Sequence, residues 1–373
     1  MSQVASQPSR ERRSAATSPS TNTEGGRDRF AAGCAAAFLA LLFLSEIASR
    51  LLAQSGFLYD RLDFAGSLTS LPELQDRIRW ACRRPRAAVL LGDSVLGASA
   101  LLERGEPAAR RRTIAAFLRE TSAPRGWAVA SLSADGLLLP DIDAIAQQLR
   151  AVPPRRVVLF LNVRMFGAEF QETSRSASRD FLRASGPAGA AADTARQARS
   201  LDQRLGDWVS IHWCLFRTTQ LLKTLWYFPT QRDALQRAVT RLLGDHGDRD
   251  LQDAALALKI SPYYQNLWRT SDPSFQSLGR IVAALGQTAG GLTVVLSPQN
   301  PGFAGSSVDP LILERNRETL RSFLRLRERS SVTFLDWSDR YSSEWFLDQC
   351  HLTASGNQRL ARDLFDALEG LGS

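Results

Sequence analysis

Two short stretches near opposite ends of the chain hold a candidate nucleophile, base and orienting carboxylate. Leu91-Gly92-Asp93-Ser94 closes an apolar run, so a small residue, a carboxylate and a serine stand where a strand should end. Gly-Asp-Ser alone is a common turn sequence. The apolar run before it and the helical pattern after it make the Ser94 hydroxyl a candidate nucleophile. The second stretch is Asp348-Gln349-Cys350-His351-Leu352-Thr353-Ala354-Ser355-Gly356. Asp348 and His351 are three residues apart and fall on one side of a tight turn. There the carboxylate can accept the imidazole Nδ1–H and leave Nε2 outward as a base. Thr353 or Ser355 is the expected cap of a final amphipathic helix, about Gly356–Glu369, that holds this loop.

The chain has three histidines, and the other two are weaker candidates. His212 lies among Trp213, Cys214 and Phe216 and reads as packed. His246, in Gly244-Asp245-His246-Gly247-Asp248, reads as an exposed turn, with no second ligand cluster to make a metal site. No cofactor or metal motif is evident. Tyr263, Tyr264, Trp268 and Trp345 are candidates for stacking on sugar rings, although aromatics are more often core.

Positioning these residues requires a scaffold. Five runs are nearly continuously apolar: Ala87–Gly92, Trp127–Leu132, Arg156–Asn162, Leu292–Ser297 and Val332–Asp336. Such runs suit parallel strands covered on both faces. Helical patterns at Leu101–Glu120, Asp141–Ala151 and Arg315–Arg327 alternate with them. This predicts an α/β fold, a doubly wound three-layer sandwich with a central parallel sheet of about five strands, whose functional residues gather at the strands' carboxyl ends. Ser297-Pro298-Gln299-Asn300-Pro301 follows the fourth run and faces that edge, so Asn300 is a candidate substrate contact. About 130 residues separate the third and fourth runs, far more than an ordinary connection. They are expected to contain a helical insertion at about 165–290, with a loop over Gln171–Thr194 and helices at Leu201–Leu225, Asp233–Leu243 and Asp250–Lys259.

Gly92-Asp93-Ser94 after the first strand, with Asp348-x-x-His351 just before the last helix, resembles the SGNH (GDSL-type) hydrolase superfamily. The resemblance covers about Val89 to Leu368 apart from the insertion. It implies a flavodoxin-like fold and an ester-attacking Ser94, with His351 as base and Asp348 orienting it. It also implies an oxyanion hole from the backbone N–H of Ser94, Gly136 after the second strand and an asparagine after the third. The third strand is followed by Leu161-Asn162-Val163-Arg164 rather than the family's usual Gly-x-Asn-Asp. Either Asn162 supplies the amide, or Arg164 takes that place as a charged donor and substrate contact.

Composition is that of a globular protein, 44% hydrophobic and 23% charged, with a net charge of +8. The basic residues are mostly arginines interleaved with acids, and no nucleic-acid motif occurs, so a nucleic-acid partner is not expected. Residues 1–29 are rich in Ser, Thr, Gly and Arg and read as a disordered cytoplasmic leader. Residues 30–53 read as a transmembrane anchor, with a cleaved signal peptide or a buried core helix as the alternatives, and Arg27 and Arg29 directly before it place the remainder outside the cytoplasm. A linker and lead-in helix (54–86) and the α/β domain (87–373) follow. Of four cysteines, Cys34 lies in the apolar segment, leaving Cys82, Cys214 and Cys350 with no pairing fixed by spacing. An anchored domain of this family resembles proteins that act on acyl groups of envelope glycans, some beside a multispanning membrane acyltransferase. The expected activity is ester hydrolysis or O-acetyl transfer on a cell-envelope or secreted polysaccharide. The alternatives are a general carboxylesterase, lipase or thioesterase, and a non-catalytic scaffold that docks a membrane acyltransferase.

Overall fold

The computed structural model describes residues 24–55, 71–106, 108–151, 154–173, 209, 213–215, 266–287, 290–302 and 309–370. In chain order these form α1 (Glu24–Ser55), α2 (Leu71–Cys82), β1 (Ala87–Gly92), α3 (Ser99–Glu103), α4 (Ile114–Ser122), β2 (Ala128–Ser133) and α5 (Leu139–Ala151). Next come β3 (Arg156–Leu161), α6 (Ala168–Thr173), α7 (Pro273–Leu285), β4 (Leu292–Leu296), α8 (Pro310–Arg325), β5 (Val332–Asp336) and α9 (Ala354–Gly370).

The five strands make one sheet in the order β2-β1-β3-β4-β5, and every pairing is parallel. Alternation along each strand feeds two cores. Val89, Leu91, Val157, Leu159, Val294 and Leu296 turn to one face, packed with side chains of α2, α5, α7 and α8. Leu90, Val129, Val158, Phe160 and Val295 turn to the other, beneath α4 and α9. Covering both faces is what makes the strands read as unbroken apolar runs. The doubly wound, three-layer α/β sandwich is therefore the observed fold. β2 and β3 both border β1, so the chain leaves β1 to one side and returns on the other. The crevice at the carboxyl ends of β1 and β3 is the position where such sheets place their sites.

The expected helix over Leu101–Glu120 is broken. α3 ends at Glu103, Gly105 takes φ +69° and Ala108 φ +56°, and a new start follows at Thr113, whose Oγ1 accepts the Ala116 N–H at 3.2 Å. Proline at 107 accounts for part of the break, because it offers no N–H to a helix interior. α7 lies inside the stretch set aside as insertion, yet it is the helix that connects into β4, with Phe275, Leu278 and Ile281 in the core. The remaining helices expected at Leu201–Leu225, Asp233–Leu243 and Asp250–Lys259 fall almost wholly outside the described residues.

α1 starts at Glu24, so the helix takes in residues 24–29 of the expected leader; residues 1–23 are outside the description. Ala32–Leu51 is long and apolar enough to cross a membrane by length and composition, as an anchor or a signal sequence would be. Phe38, Leu39, Leu41, Phe43 and Leu44 are all exposed on it, a helix apolar around its circumference. No disulfide links the four cysteines.

Candidate active site

β1 delivers Ser94 through a tight turn. Gly92 lies against β3, where a Cβ would come within 3.1 Å of Phe160 Cβ and Leu96 Cδ1 and 3.3 Å of the Phe160 carbonyl oxygen. Glycine thus lets the chain fold back at once into a 3-10 turn, Ser94–Leu96. Asp93 caps that turn through Oδ1, which accepts the Val95 N–H at 3.1 Å. Its Oδ2 accepts from Arg164 Nη2 at 2.8 Å and from Nε at 3.3 Å. Asp93 is 1% exposed, so this ion pair is nearly dry on the carboxylate side.

The far end of the chain brings the other two groups. Asp348–His351 forms a closed loop: Leu347 N–H donates to the His351 carbonyl at 2.8 Å, and Thr353 N–H to that of Trp345 at 2.8 Å. Thr353 Oγ1 accepts the Gly356 N–H at 3.1 Å, so Thr353 is the cap of α9. Asn300 holds the same loop from the β4 side. Its N–H donates to the Gln349 carbonyl at 2.9 Å and its Nδ2 to the Asp348 carbonyl at 3.1 Å, while its Oδ1 accepts the Gly302 N–H. The structure thus places Asn300 on the Asp–His loop, in a positioning contact.

The three sequence candidates meet. Ser94 Oγ lies 2.9 Å from His351 Nε2, and His351 Nδ1 lies 2.8 Å from Asp348 Oδ2. Asp348 Oδ1 also accepts the N–H groups of His351 (2.8 Å) and Cys350 (2.9 Å). Arg164 Nη2 donates to Ser94 Oγ at 2.5 Å. A guanidinium can only donate. The serine proton is therefore directed to Nε2, and Nδ1 carries its proton toward Asp348.

Burial alone would raise the Asp348 pKa, but the His351 imidazole and the two backbone N–H groups outweigh it and lower it to about 2. Burial alone would lower that of His351. The neighbouring Cys350 sulfur and the Asp348 carboxylate outweigh it and hold the imidazole well above its usual value. Asp348, Cys350 and His351 are also the group, among the described residues, whose ligand atoms converge within 4.8 Å. A metal there would have to displace the Asp348–His351 bond.

The donor candidates sit on the flanking loops. Gly136 follows β2 with φ +69°, a left-handed conformation that suits glycine. The preceding Asp135 accepts from Ser99 Oγ, which ties that loop to the start of α3 just beyond Ser94. Asn162, at the end of β3, is fully buried; its Oδ1 accepts the Arg164 N–H at 3.2 Å, and its Nδ2 has no partner. Arg164 also lies over the Phe170 ring at 5.1 Å. Sequence reasoning missed Asp93 as the seat of Arg164; the only signal was its place beside the candidate serine. Trp268, a stacking candidate, is core instead, 5.1 Å from Phe166 and 6.4 Å from Phe275 between ring centroids. Trp345 is half-buried. Tyr263, Tyr264, His212 and His246 lie outside the described residues.

No protein-family model matches the sequence, and no curated protein does. Among solved structures, the chain is similar to an α/β hydrolase enzyme from the metagenome of Lake Arreo, at 13% identity and TM-score 0.38, over 78% of this chain and 98% of that one. It is similar to an acetylxylan esterase from Geobacillus stearothermophilus at 11% identity and TM-score 0.39, over 77% and 96% of the two chains. An aryl esterase from M. smegmatis matches at 12% identity and TM-score 0.37, over 77% and 99%. Likeness this slight transfers no activity to the present chain; the chemistry must come from the site itself.

Proposed function

We propose that this chain is a serine acyl-ester hydrolase or O-acyltransferase of SGNH type, acting on acyl groups of a cell-envelope or secreted polysaccharide. The observation that carries the reading is the unbroken hydrogen-bonded series Asp348–His351–Ser94, assembled from both ends of the chain at the carboxyl edge of the sheet. His351 Nε2 takes the Ser94 proton as Oγ bonds to the acyl carbon. The carbonyl π electrons move to oxygen, giving a tetrahedral oxyanion. Collapse expels the alcohol oxygen, which takes the proton from Nε2–H and leaves acyl-Ser94. A second hydroxyl, from water or a sugar, then gives its proton to Nε2 and attacks the acyl carbon. Collapse of that intermediate breaks the acyl–Oγ bond, and the leaving Oγ takes the proton back from Nε2–H, restoring Ser94.

The oxyanion needs donors. The Ser94 backbone N–H, Gly136 and Asn162 are the proposed set, and the unpartnered Nδ2 of Asn162 is what favours that amide. A buried donor without a partner costs roughly 1–3 kcal/mol, an expense explained if an oxyanion completes it. Arg164 adds a cation on Ser94 Oγ itself, which stabilises negative charge as the proton leaves. The anchor suits an extracytoplasmic site, and a multispanning acyltransferase partner is part of the same proposal.

The test is labelling with a fluorophosphonate probe and turnover of p-nitrophenyl acetate by wild type, Ser94→Ala and His351→Ala. Both signals in wild type and neither in the variants would support the reading. Equal signals in all three proteins would refute it.

A further inference from the structure

The two edges of the sheet differ in charge. Because every strand is parallel, the segments entering β1, β2, β3 and β5 lie along one edge, opposite the candidate site. These segments (83–86, 123–127, 154–156 and 327–331) hold eight arginines and one acid, Glu328. The segments leaving the strands at the site edge (93–98, 134–138, 162–167, 297–302 and 337–342) hold two arginines and three aspartates. α9 brings one further acid to the entering edge, where Glu369 pairs with Arg125 at 2.7 Å. The formal count of these segments with that pair is eight arginines against two acids.

Helix dipoles draw basic residues to helix C-termini, and Arg125 does close a short 3-10 helix, but Arg83, Arg84, Arg86, Arg155, Arg327 and Arg329 lie beyond the helix ends and Arg156 opens β3. Arg83, Arg86, Arg125, Arg155 and Arg329 are exposed. Arg86 donates to the Arg125 carbonyl at 3.1 Å and Arg155 to the Pro85 carbonyl at 3.0 Å. These bonds tie the entries of β1, β2 and β3 into one surface, and a neutral carbonyl leaves the guanidinium charge uncompensated. The result is a preorganised basic face spanning a sheet edge of roughly 20 Å.

We propose that this face docks on anionic lipid headgroups. The chain itself argues for that partner over a free anion. α1 runs on to Ser55, fifteen residues, 56–70, separate it from α2, and α2 ends at Cys82, immediately before Arg83. Fully extended they reach roughly 50 Å, so a retained anchor keeps this edge within reach of a bilayer. Polybasic segments near an anionic leaflet are drawn to it. Docking there turns the candidate site roughly 20 Å further from the headgroups, one strand layer away, toward the glycan it is proposed to modify. The docking face itself rests on its charge and not on the anchor or the chemistry of Ser94; the anchor argues only for lipid as the partner.

The full chain, reconstituted in nanodiscs of phosphatidylcholine with and without phosphatidylglycerol, tests it by amide hydrogen exchange. The expected result is severalfold slower exchange at 83–86, 125–127 and 155–156 in the anionic discs only. High salt should reverse it, since the screening length falls to ~3 Å at 1 M. Glutamine at Arg83, Arg86, Arg125 and Arg155 should remove the protection, and lysine at the same four positions should keep it, a pairing that separates lost charge from lost fold. Equal exchange in both discs would overturn the proposal. Protection by a soluble anionic polysaccharide with none from phosphatidylglycerol would also overturn it and assign the face to glycan. Salt-reversible protection by anionic discs in a chain that fails to insert would support the docking face and remove the anchor.

Discussion

At Ser94 Oγ a donor, Arg164, and an acceptor, His351, converge, and each makes a separate prediction. Arg164 lies between the buried Asp93 carboxylate and the serine oxygen, at 2.8 and 2.5 Å. Removing one member of a buried ion pair strands the other, at a cost of about 3–5 kcal/mol. Arg164→Gln should therefore lower both the melting temperature and kcat. Adding Asp93→Asn should restore much of the stability and none of the rate, because the charge on Oγ is still missing. A double-mutant cycle followed by thermal melting and turnover checks this. Recovery of rate in the double variant would mean that Arg164 acts only through folding.

His351 predicts the pH profile. The base works only when neutral, and its pKa in the free protein is held above the usual 6.5. The acid limb of kcat/KM should lie on the alkaline side of 6.5, and Asp348→Asn should move it down. The same shifts bear on stability. The lowered Asp348 contributes above 3.8, and its contribution is lost as pH falls from 3.8 toward 2. The raised His351 contributes fully below 6.5, and its contribution is lost as pH rises through its folded value. Melting temperatures across pH should show both edges, and both should flatten in Asp348→Asn.

At the scale of elements, loops hold the chemistry where strands end. Asn300 fastens the Asp348 loop to the end of β4. Asn300→Ala should lower kcat by more than it raises KM and shift the acid limb toward 6.5 as the carboxylate loosens, a change that loss of packing alone would not produce. Gly92→Ala should slow turnover by pushing the Ser94 turn off the Phe160 backbone. Strands were the most legible elements: all five runs agree with β1–β5 to within one residue at each end, because burial on both faces writes an unbroken apolar signature. The Leu101–Glu120 break was less legible. Apolar periodicity continued across the break and outweighed its two sequence signals, Gly105 and Pro107. Trp268 shows the same limit, since an aromatic's type does not tell a core from a sugar platform.

At the scale of the whole molecule, topology brings residues 257 positions apart to a 2.9 Å contact. Sequence motifs name Ser94, Asp348 and His351 but carry no information on which strands lie side by side. The order β2-β1-β3-β4-β5 supplies that, setting Arg164 and Asn162 beside Ser94 across the crevice. The Arg164–Asp93 pairing was unreadable beforehand, because it depends on adjacency of two strand ends that are distant in sequence. The most direct measurement is mass spectrometry of the full chain quenched in acid during turnover of an activated acetyl ester. One acetyl group on the peptide containing Ser94, absent in Ser94→Ala and accumulating when the acceptor is withheld, is the predicted result. Turnover with acetyl on another residue, or undiminished in Ser94→Ala, would contradict the assignment of Ser94 as the nucleophile.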